Sequence, residues 1–239
     1  MASNITEAEI REVVNQVLNR VSAESSNGYD STQYAGRKFI GIFDDMNDAI
    51  NAAQEGYKSV RAMTVEQREK IITEIRRLTR EEAHIMAQLG VKETGMGRVE
   101  HKKAKHLLVA DKTPGTEDIV SAAKTGDNGL TLVEMAPFGV VGAITPSTNP
   151  SETVICNSIG MIAAGNGVVF NPHPNAIATS NYAVDLVNRA SRAAGGPEIL
   201  VCSMKKPTME SAAVMQSNPL IRLLVCTGGP GVVKAVLSS

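Results

Sequence analysis

The chain has 239 residues, of which 43% are hydrophobic and 21% charged, a composition typical of a soluble globular protein of one or two domains. A net charge of −1, with 3% aromatic residues and no Trp, offers neither the basic surface nor the stacking side chains that nucleic-acid binding needs. Three cysteines without a CxxC spacing predict neither disulfides nor a metal site, and they favour a reducing, cytoplasmic compartment. No apolar run approaches the roughly 20 residues of a membrane span, and the acidic N-terminus is unlike a secretion signal.

Residues 1–21 are predicted to contain a short amphipathic helix, and a linker follows. Within residues 5–21 apolar side chains recur at helical spacing, and Thr6 with Glu9 forms a capping-box pattern that sets the helix start. Residues 22–36 are rich in Ser, Asn, Gly and Asp and can bury too little apolar area to order, so they predict a flexible linker. The remaining residues, 37–239, are predicted to form the folded part.

Residues 46–110 have the periodicity of core-facing helices, with apolar side chains at three- and four-residue spacing. Thr64 and Gln67 predict a second capping box, and Gly95 predicts a helix end in the left-handed conformation. A cluster of basic side chains beyond it is interpreted as a solvated helix face: Arg98, Lys102, Lys103 and Lys105.

The second half of the chain alternates between strands and helices. Apolar strands are predicted near residues 130–135, 140–145, 168–170, 199–202 and 220–225. Helices are predicted near residues 152–164, 176–194 and 209–216, with a last one from about residue 230. This alternation predicts an α/β fold with a doubly wound, Rossmann-like parallel sheet after the helical segment.

Polar or glycine turns follow four of these strands, at 146–149, 171–174, 205–208 and 227–231. Because the carboxyl ends of parallel strands share one edge of a sheet, these turns predict a ligand cleft there. The glycines of the last turn would let backbone amides approach a phosphate at a helix start. On the pattern alone, a tight strand-to-helix connection is the favoured interpretation, since neither GxGxxG nor GxxxxGK(S/T) is present.

Five segments together resemble one family: ETGMGR at 93–98, KTPG at 112–115, EMAPFGVVGAITPSTNP at 134–150, FNPHP at 170–174 and CTGGPG at 226–231. Over nearly its whole length the chain resembles the N-terminal part of CoA-acylating aldehyde dehydrogenases of the propionaldehyde dehydrogenase type, found in bacterial microcompartments. The resemblance implies an aldehyde dehydrogenase-like fold with NAD and coenzyme A as cofactors of one cleft. It also implies oxidation of a short aldehyde, propanal or acetaldehyde, to an acyl-CoA through a cysteine thioester.

The resemblance further implies which residues contact the cofactors. The strand end at 144–146 corresponds to a contact with the nicotinamide cofactor, and the turn at 227–229 to one near the pyrophosphate, with Val232 below the adenine. Asn171 and Pro174 stand where hydrolytic relatives keep a lysine for the ribose and a glutamate, so the ribose contacts differ here. The cofactor-binding residues are expected to be Ile144, Thr145, Pro146, Ser147, Thr148, Asn171, Pro172, His173, Pro174, Thr208, Thr227, Gly228, Gly229 and Val232. His173 is interpreted either as a ligand contact or as a turn residue held between prolines.

For catalysis, the resemblance implies that Asn149 or Thr148 donates a hydrogen bond to the aldehyde oxygen, since the alignment leaves a one-residue ambiguity. The nucleophilic cysteine is expected in a later domain that this chain lacks, so the chain alone is expected to be inactive. Cys226 is interpreted as an apolar strand position and Cys156 as a buried helix position, and neither is assigned as the nucleophile.

The resemblance also implies partners. The helix at 5–21 is expected to target the protein to the microcompartment lumen by contacting a shell protein; the alternative is a helix packed on its own domain. A homo-oligomer is expected, for which residues 130–135 could supply a sheet edge or form an internal strand. An alternative function is a catalytically silent binding module that docks to the shell or to partner subunits through its N-terminal helix.

Overall fold

The computed structural model describes residues 30–238, so the helix predicted at 5–21 and residues 22–29 of the linker lie outside the described residues.

Three short strands come first, β1 (Gln33–Tyr34), β2 (Arg37–Lys38) and β3 (Ile42–Phe43), followed by helices α1 (Met46–Arg61), α2 (Val65–Thr94) and α3 (Val99–Lys112). Strands β4 (Ala122–Gly126) and β5 (Gly129–Val133) come next. The remaining elements alternate: β6 (Val140–Ile144), α4 (Pro150–Ala163), β7 (Gly167–Asn171), α5 (Ile177–Ala193), β8 (Val201–Met204), α6 (Met209–Ser217), β9 (Ile221–Cys226) and α7 (Pro230–Leu237).

Five parallel strands form the central sheet, in the order β3-β8-β7-β6-β9. Helices α1 and α6 pack together beside it, while α4 and α5 pack against each other and are covered by α2. The α/β fold class and the alternation predicted from residue 140 onwards are confirmed. Strand β3 is an addition that the sequence pattern did not predict.

The apolar core between α1 and the sheet is formed by residues at helical spacing along α1 and by residues at alternate positions along the strands. Ile50 of α1 is fully buried and lies in one cluster with Val140 and Val169 of the sheet and Met215 of α6. Burying each such side chain contributes about 1.5–3 kcal/mol, so this interface is a main source of stability.

The predicted helix boundaries of the first half agree with the structure. Thr64 Oγ1 accepts the Gln67 N–H at 3.2 Å, and the Gln67 side chain accepts the Thr64 N–H at 2.9 Å, which confirms the capping box. Gly95 ends α2 with φ of 66°, in the left-handed conformation predicted for it. No helix within residues 30–238 is long and apolar enough to cross a membrane.

The strand predicted at 130–135 is β5, but its predicted place in the parallel sheet is wrong. It pairs with β4 in a separate antiparallel hairpin, and every residue of both strands is exposed. Leu130 is 69% exposed and Leu132 60%. The prediction failed because apolar runs are normally buried by the same domain, and here they are not.

Residues 31–36, the last part of the predicted linker, belong to a segment that packs on the domain through aromatic rings. Tyr34 and Phe39 meet the buried ring of Tyr182 edge to face, with ring centroids 5.3 and 5.8 Å away. The buried Asp185 carboxylate also accepts the N–H of Ile40 at 3.2 Å. These contacts hold the segment against α5, whereas the prediction placed residues up to 36 in the linker.

Glu82 of α2 receives hydrogen bonds from two residues of α5. The Tyr182 hydroxyl donates to one carboxylate oxygen at 2.6 Å, and the Arg189 guanidinium donates to both oxygens at 2.8 Å. Burial raises the pKa of the Glu82 carboxyl, but the bonds from Arg189 and Tyr182 outweigh it, so the pKa lies below its ordinary value of 4.5. The ionised carboxylate therefore ties α2 to α5.

We expect Glu82→Gln to lower the free energy of unfolding by about 1–3 kcal/mol at neutral pH, because charged hydrogen bonds are lost. The folded-state pKa lies below the unfolded one, so the unfolded chain binds the proton more tightly. The stabilisation is present above pH 4.5 and is lost as the pH falls through the folded-state value. Urea unfolding at neutral and at acidic pH should show the difference between the variant and the original chain shrinking in acid.

The control for this experiment is Glu81→Gln, which removes only an exposed ion pair with Arg77. A loss of similar size in the control, or a Glu82→Gln effect that does not change with pH, would contradict the role given to the Glu82 carboxylate.

Candidate functional site

A cleft of about 770 Å³ lies at the carboxyl edge of the central sheet, a size within the usual range for ligand pockets. It is walled by the turns after β6, β7, β8 and β9. All residues predicted to contact a cofactor line it: Ile144, Thr145, Pro146, Ser147, Thr148, Asn171, Pro172, His173, Pro174, Thr208, Thr227, Gly228, Gly229 and Val232. Of the two predicted oxyanion donors, Thr148 is among the lining residues and Asn149 is not.

The ends of β6 and β9 are held together where the cleft begins. The Thr227 N–H donates to the Ile144 carbonyl at 3.0 Å. Thr145, next along the cleft wall, is buried, and its hydroxyl has no hydrogen-bond partner among the described residues. A buried hydroxyl without a partner is unfavourable by about 1–3 kcal/mol, so a polar ligand group at this strand end would relieve that cost.

The end of β7 is tied to the start of α6. The Asn171 side-chain oxygen accepts the Ser211 hydroxyl at 2.8 Å, and Ser211 forms a capping box with Thr208. His173 is exposed, and its Nδ1 accepts the Asn175 N–H at 3.1 Å, so the neutral ring carries its proton on Nε2. His173 thus closes its own turn and also lines the cleft.

Glu93, in the last turn of α2, caps α5 just beyond the turn at 171–174. Its carboxylate accepts the Ala178 N–H at 2.7 Å and the Thr179 N–H and hydroxyl at 2.8 and 2.5 Å. Helix α5 has no side-chain cap of its own, because Ala176 occupies the N-cap position. Burial raises the pKa of the Glu93 carboxyl, although the bonds from Thr179 and Ala178 oppose this. Glu93 therefore fixes the start of α5 and, through it, one wall of the cleft.

The turn after β9 leaves open space at the start of α7. A Cβ atom added to Gly229 or Gly231 would have no neighbour within 4 Å. Gly229 is the N-cap of α7, and it provides no side-chain cap. The first N–H groups of a helix lack partners within the helix and suit an anion, so the space and the helix start together fit a phosphate.

Two lysines of α3 reach the turn after β6. The Lys102 ammonium donates to the Thr148 carbonyl at 2.8 Å, and the Lys105 ammonium donates to the Asn149 side-chain oxygen at 2.9 Å. Lys102 is only 3% exposed. The interpretation of the whole basic cluster as a solvated helix face is therefore wrong for Lys102.

Lys102 is part of a buried polar cluster that sequence analysis missed. Its ammonium lies 3.8 Å from a Glu152 carboxylate oxygen, and His106 Nε2 lies 2.8 Å from the Ser151 hydroxyl. Burial lowers the pKa of the Lys102 ammonium and of the His106 imidazole. The sequence signal that could have revealed this cluster is the four-residue spacing of Lys102, His106 and Ala110. This spacing places the three buried residues on one stripe of α3.

Two of the three cysteines are disfavoured as nucleophiles. Burial raises the pKa of the Cys202 and Cys226 thiols, which opposes thiolate formation. Cys156 is exposed on α4, so its predicted buried position is wrong. Among residues 30–238 no group of three or more His, Cys, Asp or Glu side chains is placed to hold a metal ion.

Comparison with known proteins gives a family for the chain. The model of the aldehyde dehydrogenase family matches residues 40–239. The acetaldehyde dehydrogenase (acetylating) EutE of Escherichia coli (strain K12) is 46% identical over 234 residues, which are 97% of this chain and 48% of that protein. The chain thus spans about half the length of the curated relatives it matches.

Solved structures of similar enzymes share the fold. A propionaldehyde dehydrogenase from the Clostridium phytofermentans fucose utilisation bacterial microcompartment has a TM-score of 0.82 and 62% identity, covering 83% of this chain and 46% of that one. The Rhodopseudomonas palustris propionaldehyde dehydrogenase, with bound CoA and an acylated cysteine, has a TM-score of 0.80 and 48% identity, covering 83% of this chain and 46% of that one.

We expect Glu93→Gln to lower the free energy of unfolding by about 1–2 kcal/mol, because an NH2 group, which only donates, replaces one of the two carboxylate oxygens that accept hydrogen bonds at the start of α5. Urea unfolding at neutral pH measures the change. Glu55→Gln, which loses only an exposed ion pair with Lys58, is the matched control. Equal stability of Glu93→Gln and the original chain would show that the cap contributes nothing.

Proposed function

The chain belongs to the aldehyde dehydrogenase family, and we propose that it supplies the nucleotide-binding part of an NAD-dependent, CoA-acylating aldehyde dehydrogenase. The reaction oxidises a short aldehyde, propanal or acetaldehyde, and transfers the resulting acyl group to coenzyme A. The observation that carries the proposal is the single cleft lined by every residue expected to contact a cofactor.

The cleft has the chemistry that a dinucleotide requires. It lies at the carboxyl ends of parallel strands, where doubly wound sheets bind nucleotides. The start of α7 beside Gly229 suits the diphosphate, and apolar side chains such as Ile144 and Val232 suit the flat faces of the two ring systems.

Coenzyme A is proposed to use the same cleft after the nicotinamide cofactor leaves. Both molecules carry an adenosine and a diphosphate, so one set of contacts at the glycine turn can bind first one of them and then the other. The turn at 171–174, tied to α6 by the bond from Ser211 to Asn171, is proposed to face the shared adenosine part.

When bound, NAD supplies the hydride acceptor, and coenzyme A supplies the thiol that collects the acyl group. We place the reacting aldehyde beside the turn at 147–149, where Thr148 or Asn149 donates a hydrogen bond to its oxygen as negative charge develops. We propose that the nucleophilic cysteine belongs to the part of the relatives that this chain does not match.

The names of the relatives support the substrate and the location. The Escherichia coli relative is an acetaldehyde dehydrogenase, and the Clostridium phytofermentans enzyme is a propionaldehyde dehydrogenase of a bacterial microcompartment. We therefore propose a short aldehyde as substrate and the lumen of a cytoplasmic microcompartment as location. The amphipathic pattern of residues 5–21 is proposed to bind a shell protein.

A homo-oligomer is proposed from the hairpin of β4 and β5. Leu130, Leu132 and Val133 are all at least half exposed on it, and a two-stranded hairpin alone is only marginally stable in water. Apolar side chains grouped in this way usually mark a protein contact. A second copy of the chain pairing along this hairpin would cover them.

We expect the purified chain to bind NAD and coenzyme A in competition with each other. Calorimetric titration of a reduced sample with each ligand, alone and in the presence of the other, measures this. Saturable and mutually exclusive binding is expected for one shared cleft. Absence of binding by either ligand, in a sample that still unfolds cooperatively, would contradict the assignment of the cleft in this chain.

The matched pair of variants for this titration is Gly229→Glu and Gly126→Glu. Neither glycine has an atom within 4 Å of an added Cβ, so both variants should fold. Only Gly229→Glu places a carboxylate where the diphosphate is expected, and it should lose both ligands. Retained binding in Gly229→Glu, or loss in Gly126→Glu on the hairpin, would show that the glycine turn is not the phosphate site.

We expect residues 1–27 to direct a fused fluorescent reporter to microcompartments. Fluorescence microscopy in cells that build shells should show puncta, and cells without shells should show diffuse signal. Replacing Val13, Val17 and Leu18 by serine removes the apolar stripe and should make the signal diffuse. Diffuse signal from the unaltered fusion would exclude a targeting role.

A further inference from the structure

Helices α6 and α7 together line one part of the cleft. Each contributes residues at the three- and four-residue spacing of a single helix face. This part, here called the helix slot, consists of Met209, Ala212, Gln216, Val232, Ala235 and Val236. Both helices pack on β9, and both begin at the carboxyl edge of the sheet, with Thr208 and Gly229 as their N-caps. The helix slot therefore leads away from the phosphate site proposed at Gly229.

The helix slot is apolar except at one position. Five of its six residues are Ala, Val or Met, and Gln216 is the remaining one. Ala212 and Ala235 have small side chains, which leave room between the helices. Apolar walls of this kind suit the two faces of a flat ring system, and a few polar groups then set which ring is accepted. In the helix slot only the Gln216 amide can contact the polar edge of such a ring.

The side-chain amide of Gln216 has no hydrogen-bond partner within residues 30–238, although its backbone is firmly held. Met215, the preceding residue, is fully buried in the apolar core beside α1. Just beyond the end of α6, the Asn218 carbonyl accepts the Ile221 N–H at 3.0 Å, which ties the helix to β9. Gln216 itself is partly exposed. Its amide is thus carried on a fixed backbone and is free to bond with a ligand.

Gln216 lies at a defined distance from the phosphate site. It is the eighth residue of α6, and Val236 is the seventh residue of α7. Since an α-helix rises about 1.5 Å per residue, both lie about 10 Å from the starts of their helices. In an adenosine diphosphate group the ribose adjoins the phosphates and the base lies beyond the ribose. A diphosphate at the start of α7 would therefore place the base, and not the ribose, beside Gln216.

We propose that Gln216 is a specificity-determining residue that recognises the adenine base of both NAD and coenzyme A. Its amide oxygen accepts a hydrogen bond from the N6 amino group, and its NH2 donates to N7, the two-bond pairing that glutamine makes with adenine in nucleic-acid recognition. This inference rests on the proposed function, since it takes both molecules to bind in the cleft.

The proposed pairing distinguishes adenine from hypoxanthine. Hypoxanthine carries a carbonyl oxygen in place of the amino group, so the same edge presents two acceptors. The amide of Gln216 has one acceptor and one donor, and in either orientation its oxygen would face an acceptor of the base. The apolar walls of the helix slot keep water from relieving this mismatch.

Calorimetric titration of the full 239-residue chain with NAD and with nicotinamide hypoxanthine dinucleotide measures the selection. We expect NAD to bind about ten-fold more tightly, because a two-bond contact to a base discriminates by at least this factor. In Gln216→Leu, which changes the apolar contact equally for both ligands, the preference should disappear. An original chain without the preference, or a Gln216→Leu variant that keeps it, would overturn the proposal.

The matched control is Gln88→Leu, because Gln88 is exposed on α2 and does not line the cleft. It makes the same substitution and should keep the ten-fold preference. Loss of the preference in this control would show that it does not arise at Gln216. Urea unfolding of both variants should give the stability of the original chain, since the Gln216 amide has no bond to lose within residues 30–238.

Coenzyme A tests whether one residue reads the base of both molecules. Because coenzyme A carries the same adenine, Gln216→Leu should lower its affinity by the same factor as that of NAD. A loss confined to one of the two would overturn the shared recognition.

A smaller probe separates this inference from the proposed function. AMP carries the base, the ribose and one phosphate, and it takes no part in the reaction. In NMR spectra of the original chain, AMP should shift the side-chain amide signals of Gln216, and IMP, its hypoxanthine counterpart, should shift them less. No shift, or equal shifts, would overturn the proposal. If AMP shifts these signals but neither NAD nor coenzyme A binds, the proposed function fails and the role of Gln216 stands.

Discussion

The parallel pairing of β6 with β7 on one side and β9 on the other is the constraint on which the cleft depends. Its register places Ile144 opposite both Asn171 and Cys226, the last residues of the two neighbouring strands. The three turns that follow therefore begin at one level. A slip of one residue would send every side chain of a strand to the opposite face and separate these turns, and helices packed on both faces make such a slip costly.

The sheet brings the turns together, but charged residues of the helical segment fix their conformation. Glu93 holds the start of α5 beyond the turn after β7, and Lys102 holds the Thr148 carbonyl in the turn after β6. Both side chains are largely withdrawn from water. In the protein interior, hydrogen bonds to charged groups are stronger than in water, and unpaired charges are more costly. The helical segment is thus part of the site, although no residue of it lines the cleft.

The strands and helices from residue 140 onwards could be predicted because buried parallel strands are short apolar runs bounded by turn residues. The turns that wall the cleft could be predicted for the same reason, since they directly follow those strands, whereas the individual contact residues were implied by the resemblance to a family. Leu130 and Leu132 misled the prediction, because an apolar strand pattern does not tell which surface covers it. Lys102 could not be placed, because lysine is rarely buried and its acceptor, Thr148, lies far along the chain.

Glu93 and Lys102 flank a single short corner, residues 95–98, between two rigid helices. Adding or removing one residue in this corner would rotate α3 by about 100° relative to α2 and carry Lys102 away from Thr148 while Glu93 stayed in place. The hairpin of β4 and β5, which pairs only with itself among the described residues, carries no such restriction on its length. Across related sequences, insertions and deletions should therefore gather in the hairpin and avoid the corner.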